Sequence, residues 1–283
     1  MPDTPPCKKA IIAVAGFGTR RLPITKALEK CMLPVGDRPI IDYVVEDCLK
    51  AGIEEFIFVV GEDFQQLKRY YGHNQLLETY LEDKGKITEL QEVQTLAGKA
   101  RFRYIIQDQH QPYGTAVPIW LARYLVHPDE KVLVVFGDQF FYRKDGSSEI
   151  KDFIANAAAT EAQAAMLAVE VPWETVSQYG IVSTVKQGNV ELYEHIVEKP
   201  TREAAPTNLN NGSCFLFGHD IFPFLEQNVN TEQPGEHYIT DALNAYAAAG
   251  NNIAVIRAQG EFMDCGTTDG WLYTNNRILG SAA

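Results

Sequence analysis

The chain has 283 residues, 46% of them hydrophobic and 22% charged, with a formal net charge of -12. That length holds one large α/β domain or two small ones, and the acidic balance argues against nucleic acid or an anionic membrane as partner. No apolar run reaches the roughly 18–20 residues of a membrane helix, and the opening MPDTPPCKK lacks the basic-then-apolar order of a secretory leader. Five scattered cysteines (Cys7, Cys31, Cys48, Cys214 and Cys265) include no Cys-x-x-Cys pair. They speak against a disulfide framework or a zinc site and fit a reducing compartment, so the expected location is cytoplasmic.

Residues 8–15 form a β-branched run that stops at Gly16-Phe17-Gly18, a buried strand entering a glycine turn. Arg20, Arg21, Lys26 and Lys30 follow within eleven residues of an otherwise acidic chain. A local positive cluster of this kind suits a small anionic ligand such as a phosphate. Residues 39–49 carry apolar side chains at helical spacing, with Pro39 suited to the first turn and Gly52 to the stop. Residues 55–60 then read as a second strand, completing a βαβ unit and implying a parallel sheet with a right-handed crossover.

The alternation continues with helices at 64–71 and 75–83, a strand at 101–106 and a helix at 115–126. A buried strand at 131–136 ends at Gly137-Asp138, before an alanine-rich helix at 149–162 and a strand at 165–171. From 180 to 197 the pattern gives two strands (180–183 and 190–197), then a polar loop at 201–211 and a helix at 240–249. No linker separates two domains, and no long repeat is present. These patterns predict one α/β domain with a mostly parallel sheet and a ligand site outside the carboxyl ends of its strands.

The glycine turn is not a dinucleotide fingerprint, which needs a third glycine where Arg21 stands, and it lacks the Gly-Lys-Ser/Thr ending of a Walker A loop. Its glycines still let backbone amides approach a phosphate, Arg20 adds a planar donor fork, and Lys30 a mobile point charge. Residues 107–116 lie between a strand and a helix and hold three glutamines. A buried glutamine amide offers the donor and acceptor that match the imide edge of uracil or thymine. Asp138 and Asp264 each stand at a candidate strand end. Two carboxylates completed by phosphate and water are a usual magnesium environment. Glu198-Lys199 offers a carboxylate for sugar hydroxyls beside an amine for a phosphate. His110, His195 and His237 are too scattered to suggest a zinc site.

The stretch AGFGTRRLPITKALEKCMLPVGDRPIIDYVV resembles the signature region of the sugar-nucleotide pyrophosphorylases, which runs Gly-x-Gly-Thr-Arg, then Lys-x-Met-Leu-Pro, then Lys/Arg-Pro before a helix. Within that superfamily the chain looks most like the bacterial UTP–glucose-1-phosphate uridylyltransferases, through Thr25-Lys26-Ala27 and a charged insert over residues 74–98. The similarity runs over residues 8–279. It implies a single Rossmann-like α/β nucleotidyltransferase domain at 8–280, with a mixed, mostly parallel central sheet flanked by helices. Its nucleotide-binding part would cover residues 8–140 and its sugar-binding part residues 141–280.

The resemblance further implies that Ala15, Gly16, Gly18, Thr19 and Arg20 hold a triphosphate, with Lys30 on its phosphates. Gln109 with Gly114 would read the base, Gln107 being the alternative. Asp138 and Asp264 would bind Mg²⁺, and Tyr179, Gly180, Glu198 and Lys199 would take a sugar 1-phosphate. Arg20, Lys30 and Lys199 are the expected catalytic cations. The implied reaction joins UTP to glucose 1-phosphate. The same reaction with dTTP or another hexose 1-phosphate stays open, as does a non-catalytic sugar-nucleotide-binding homologue. Relatives are often dimers or tetramers, so a homo-oligomer is within expectation. The chain departs from the family pattern at Glu29, Cys31, Pro118 and Tyr238.

Overall fold

In the computed structural model, which describes residues 7–108, 110, 112–232 and 234–280, the first apolar run becomes strand β1 (Lys9–Val14). A small hairpin of β2 (Pro34–Val35) and β3 (Arg38–Pro39) leads into helix α1 (Ile40–Lys50). Ile40, Ile41, Val44, Val45 and Cys48 are buried on one face of α1, the stripe that its apolar spacing requires. The helix closes with Gly52 N–H on Leu49 O (2.9 Å) and Ile53 N–H on Cys48 O (3.0 Å). Strand β4 (Glu55–Val60) follows, buried along its whole length.

Helices α2 (Gln65–Tyr71), α3 (Gln75–Asp83) and α4 (Ile87–Gly98) fill the crossover to β5 (Arg101–Ile106). Helix α5 (Ala116–Leu121) precedes β6 (Val132–Phe136). Strands β5, β4, β1 and β6 lie side by side in parallel, and each crossover carries a helix, as parallel pairing demands. Helices cover both faces of this part, so alternate residues are apolar throughout. Ile12, Phe56 and Phe58 join one buried cluster, while Ile11, Ile57 and Val59 join the other.

Beyond Phe136 the connections change. Strand β7 (Gln139–Tyr142), helix α6 (Glu149–Ala158) and strand β8 (Ala164–Glu170) precede a hairpin of β9 (Gly180–Gln187) and β10 (Val190–Glu198). Then come β11 (Leu209–Phe217), α7 (Phe222–Asn230), α8 (Ile239–Ala248), β12 (Ile253–Arg257), β13 (Glu261–Asp264) and α9 (Thr268–Leu279). The main sheet runs β5-β4-β1-β6-β11-β8-β12-β10-β9. Past β6 only β8 and β12 pair in parallel; β6–β11, β11–β8, β12–β10 and β10–β9 are antiparallel. The sheet is therefore mixed, its parallel character concentrated in the N-terminal four strands.

Residues 209–211, expected as a polar loop, open β11 instead. Asn210-Asn211-Gly212-Ser213 has the composition of a turn, yet it forms a bulge. Its register against β8 shifts between Asn211 and Phe215, and Ser213 has a φ of 52°. This strand joins the parallel N-terminal part of the sheet, through β6, to the remainder, through β8, so both parts share one continuous sheet. Among the described residues no helix is long and apolar enough to cross a membrane.

Candidate active site

The turn after β1 is fixed from several directions. Gly18 has a φ of 65°, a left-handed conformation that glycine adopts without strain. A Cβ there would stand 3.1 Å from both the Lys30 and Thr25 side chains. The Gly18 carbonyl accepts from Arg21 N–H at 2.8 Å and from the Thr25 hydroxyl at 2.9 Å. Around Gly16, by contrast, nothing among the described residues lies within 4 Å of where a Cβ would be, so that face is open to a ligand.

The two adjacent arginines separate by role. Arg21 is buried, donates from Nη1 to Thr267 O at 2.7 Å and lies 4.9 Å from the centroid of the Trp271 ring. Burial holds its guanidinium below the usual value. Trp271 in turn donates to Pro34 O at 2.7 Å, so α9 braces the glycine turn from behind. Arg20 and Thr19 are exposed on the open side of the same turn.

Lys30 and Asp138 form an ion pair across the mouth of the sheet. Gly137 makes the approach possible: a Cβ there would overlap Val14, so the end of β6 closes directly onto the end of β1. Asp264 arrives through the β7–β13 ribbon, where it pairs with Gln139, and the next residue donates its N–H to Asp138 O at 3.1 Å. Asp264 Oδ1 accepts from Gly266 N–H at 2.8 Å. A Cβ on Gly266 would lie 3.5 Å from Lys30 Nζ and 3.6 Å from Asp138 Oδ2, so the three charged groups surround one small region.

Burial, and after it the neighbouring Asp138, push the Asp264 carboxyl above its ordinary range. Two carboxylates that disfavour each other's charge are suited to a cation between them. Among the described residues no three His, Cys, Asp or Glu side chains gather as metal ligands. A hard divalent cation on Asp138 and Asp264 would therefore complete its shell from phosphate and water, as magnesium commonly does.

The expected sugar-side residues also meet. The β9–β10 register sets Glu198 opposite Gly180, and a Cβ on Gly180 would lie 3.0 Å from Glu198 Oε1 and 3.0 Å from Asn211 Nδ2. Lys199 has a φ of 46° and donates its N–H to Tyr179 O at 2.9 Å. Burial, and after it the Asp264 carboxylate, push the Tyr179 phenol up, so this cluster lies within electrostatic reach of the aspartate pair. Glu198 opens to solvent in a crowded cleft, where desolvation pushes its carboxyl up. Asn211 was not singled out by the sequence. Its available signal was an Asn-Gly pair within β-branched and aromatic flanks, which marks a bulge as readily as a turn.

A nucleotidyl transferase family model matches residues 9–281. The chain belongs to that family. It is 34% identical over 239 residues to the UTP–glucose-1-phosphate uridylyltransferase of Bacillus subtilis (strain 168), covering 83% of this chain and 79% of that protein. It matches the structure of a UTP-bound UGPase from Acinetobacter baumannii with a TM-score of 0.86 and 31% identity, over 96% of this chain and 93% of that one. It also matches a UDP-glucose pyrophosphorylase complexed with UDP-glucose, with a TM-score of 0.84 and 29% identity, over 97% and 99% of the two chains.

The remaining expected residues of this nucleotidyl transferase belong, in sequence, to the segment between β5 and α5. Gln109 lies outside the described residues; its alternative, Gln107, is buried and donates its N–H to Val60 O at 2.8 Å. Gly114 has a φ of 126°, and a Cβ on it would run into the backbone of His237. The close approach that this glycine admits is to another segment of the same chain.

Three of the four departures from the family pattern have local explanations. Glu29 accepts from Gln66 N–H (2.6 Å) in the first turn of α2, and Gln66 Oε1 accepts from Glu29 N–H (2.9 Å). It thus satisfies a helix terminus from a distance. Cys31 is buried, with its thiol pushed far up by desolvation, so it acts as a small apolar residue. Pro118 sits in the first turn of α5, where a missing N–H costs nothing.

Proposed function

We propose that the chain transfers a uridylyl group from UTP to glucose 1-phosphate, forming UDP-glucose and pyrophosphate. The observation that carries this reading is the gathering of Lys30, Asp138 and Asp264 between the open glycine turn and the Gly180–Glu198–Lys199 cluster. A phosphate oxygen of glucose 1-phosphate attacks the α-phosphorus in line. A new P–O bond forms, the bridging α–β P–O bond breaks, and pyrophosphate leaves with that electron pair. No protein nucleophile is required, so catalysis rests on alignment and charge neutralisation.

Backbone groups of Ala15, Gly16, Gly18 and Thr19 hold the triphosphate, with Arg20 as a donor fork on its oxygens. Lys30 exchanges Asp138 for phosphate oxygens when substrate enters. Asp138 and Asp264 hold Mg²⁺, which neutralises phosphate charge. Lys199 steadies the attacking phosphate, Tyr179 and Gly180 shape its seat, and Glu198 accepts hydrogen bonds from sugar hydroxyls. Gln109 is the residue assigned to the uracil edge. Residues 8–140 thus serve the nucleotide and residues 141–280 the sugar, within one domain. Five buried, unpaired thiols suit a reducing cytoplasm.

The test is pyrophosphate release with Mg²⁺, using UTP, dTTP, ATP, CTP and GTP against a panel of sugar 1-phosphates. The expected maximum is UTP with glucose 1-phosphate. A maximum at another pair would keep the chemistry and replace the substrates. A folded protein that binds a sugar nucleotide but releases no pyrophosphate from any pair would overturn the catalytic reading.

A further inference from the structure

We propose that helix α8 is one rigid part shared by the base-side loop and the sugar-phosphate strand, and that Thr115 and Asn244 are positioning residues for sugar-phosphate binding. The inference rests on the substrate reading above and deepens it.

On the loop side the attachment has no slack. His237 N–H donates to Tyr113 O at 2.8 Å, and Ala116 N–H donates to His237 O at 2.9 Å. Between them Gly114 presses so closely on His237 that no side chain fits. The Thr115 hydroxyl then accepts from Ile239 N–H at 2.9 Å. Ile239 is the first residue of α8, and its amide is one of those a helix leaves unpaired at its start. A residue of the nucleotide side therefore seats the N-terminus of α8. The His237 ring, bonded through Nδ1 to Asn228 O at 2.8 Å, fixes the same segment to the end of α7.

On the sugar side α8 grips β10 where that strand is irregular. The register of β10 shifts between Tyr193 and His195. There Asn244 Oδ1 accepts from the Tyr193 hydroxyl (2.7 Å) and from Ile196 N–H (3.1 Å), while Nδ2 donates to Ile196 O (3.4 Å). Ile196 is buried, so without Asn244 its backbone groups would be left unsatisfied. Two residues further on stand Glu198 and then Lys199. The first turn of α8 carries Thr240 and Asp241, whose electrostatic influence reaches the Glu198 carboxyl. Thr115, α8, Asn244 and the end of β10 thus form one continuous bonded series, and displacing either end of α8 displaces the groups that face the sugar phosphate.

The experiment compares Thr115→Val, Asn244→Ala, the double variant and Thr115→Ser in steady-state kinetics at saturating UTP, with thermal melting alongside. Thr115→Val and Asn244→Ala should each raise KM for glucose 1-phosphate about three- to tenfold with kcat changed less than about twofold, the loss of the Ile239 contact in one case and of the Tyr193 and Ile196 contacts in the other being expressed in binding. Thr115→Ser, which keeps the hydroxyl, should restore the wild-type KM. The double variant should be no worse than the more affected single variant, because both defects act through one part. A lowered Tm with unchanged sugar-phosphate KM in Thr115→Val would overturn the inference, as would fully additive effects. Wild-type protein inactive on every substrate pair would instead defeat the substrate reading, so the two failures are distinguishable.

Discussion

On the side proposed for the nucleotide, Gly16, Gly18, Arg20 and Lys30 come from one loop after one strand, whereas Tyr179, Glu198, Asn211 and Asp264 come from four separate segments. The difference follows from strand direction. Parallel strands return to the same edge after each crossover, so a binding loop can be written as one continuous stretch of sequence. In the antiparallel part, neighbours such as Gly180 and Glu198 meet through register, and a one-residue slip would turn Glu198 to the other face. One side of the site is specified by a motif, the other by pairing.

That contrast can be broken most severely where the sides join. Asp138→Asn or Asp264→Asn should lower kcat by at least about 10²–10³-fold with the fold intact by circular dichroism. Near-normal rates in both variants would remove the metal assignment. Next in size, Glu198→Gln should raise KM for glucose 1-phosphate on the order of tenfold while leaving KM for UTP within about twofold. Equal changes in both would show that the two sides are not separable in binding.

Two smaller effects concern stability. Burial and Asp138 raise the Asp264 carboxyl above its ordinary value of 3.8. The folded protein then keeps this proton at pH values where the unfolded chain has lost it, so stability falls as pH rises through that window. In metal-free buffer near pH 7, Asp264→Asn should therefore raise Tm by roughly 2–4 °C, an advantage that shrinks as the pH is lowered below the window. A Tm lower than wild type at both pH values would contradict the cost assigned to this carboxylate. On the nucleotide side, Glu29→Ala removes the acceptor for Gln66 N–H and should cost about 1 kcal/mol by chemical denaturation. An unchanged midpoint would show that solvent replaces it.

How far the sequence could be read follows the same division. The strands at Glu55–Val60 and Arg101–Ile106 have the predicted bounds, because continuous apolar runs between turn signals leave little choice. The loop from Gly16 to Lys30 was recognisable because its chemistry is contiguous. Strand β11 was not, since Asn210-Asn211-Gly212 carries the composition of a turn, and pairing with β6, β8 and β9 holds it in the sheet. Asn211 was hidden with it. Arg20 and Arg21 could not be told apart as sequence, because the partners that bury Arg21, Thr267 and Trp271, lie far along the chain. Gly114 was expected beside a base; that the His237 backbone packs against it depends on tertiary structure.

The meeting of Asp138 with Asp264 also sets an order of events in the cell. The two positions are 126 residues apart (264 − 138), and the brace on Arg21 comes from Thr267 and Trp271, later still. A ribosome that has produced the whole glycine turn and the first aspartate has not yet produced the second aspartate of the proposed metal pair or the partners of Arg21. The site as proposed is complete only once Asp264, Thr267 and Trp271 have been made.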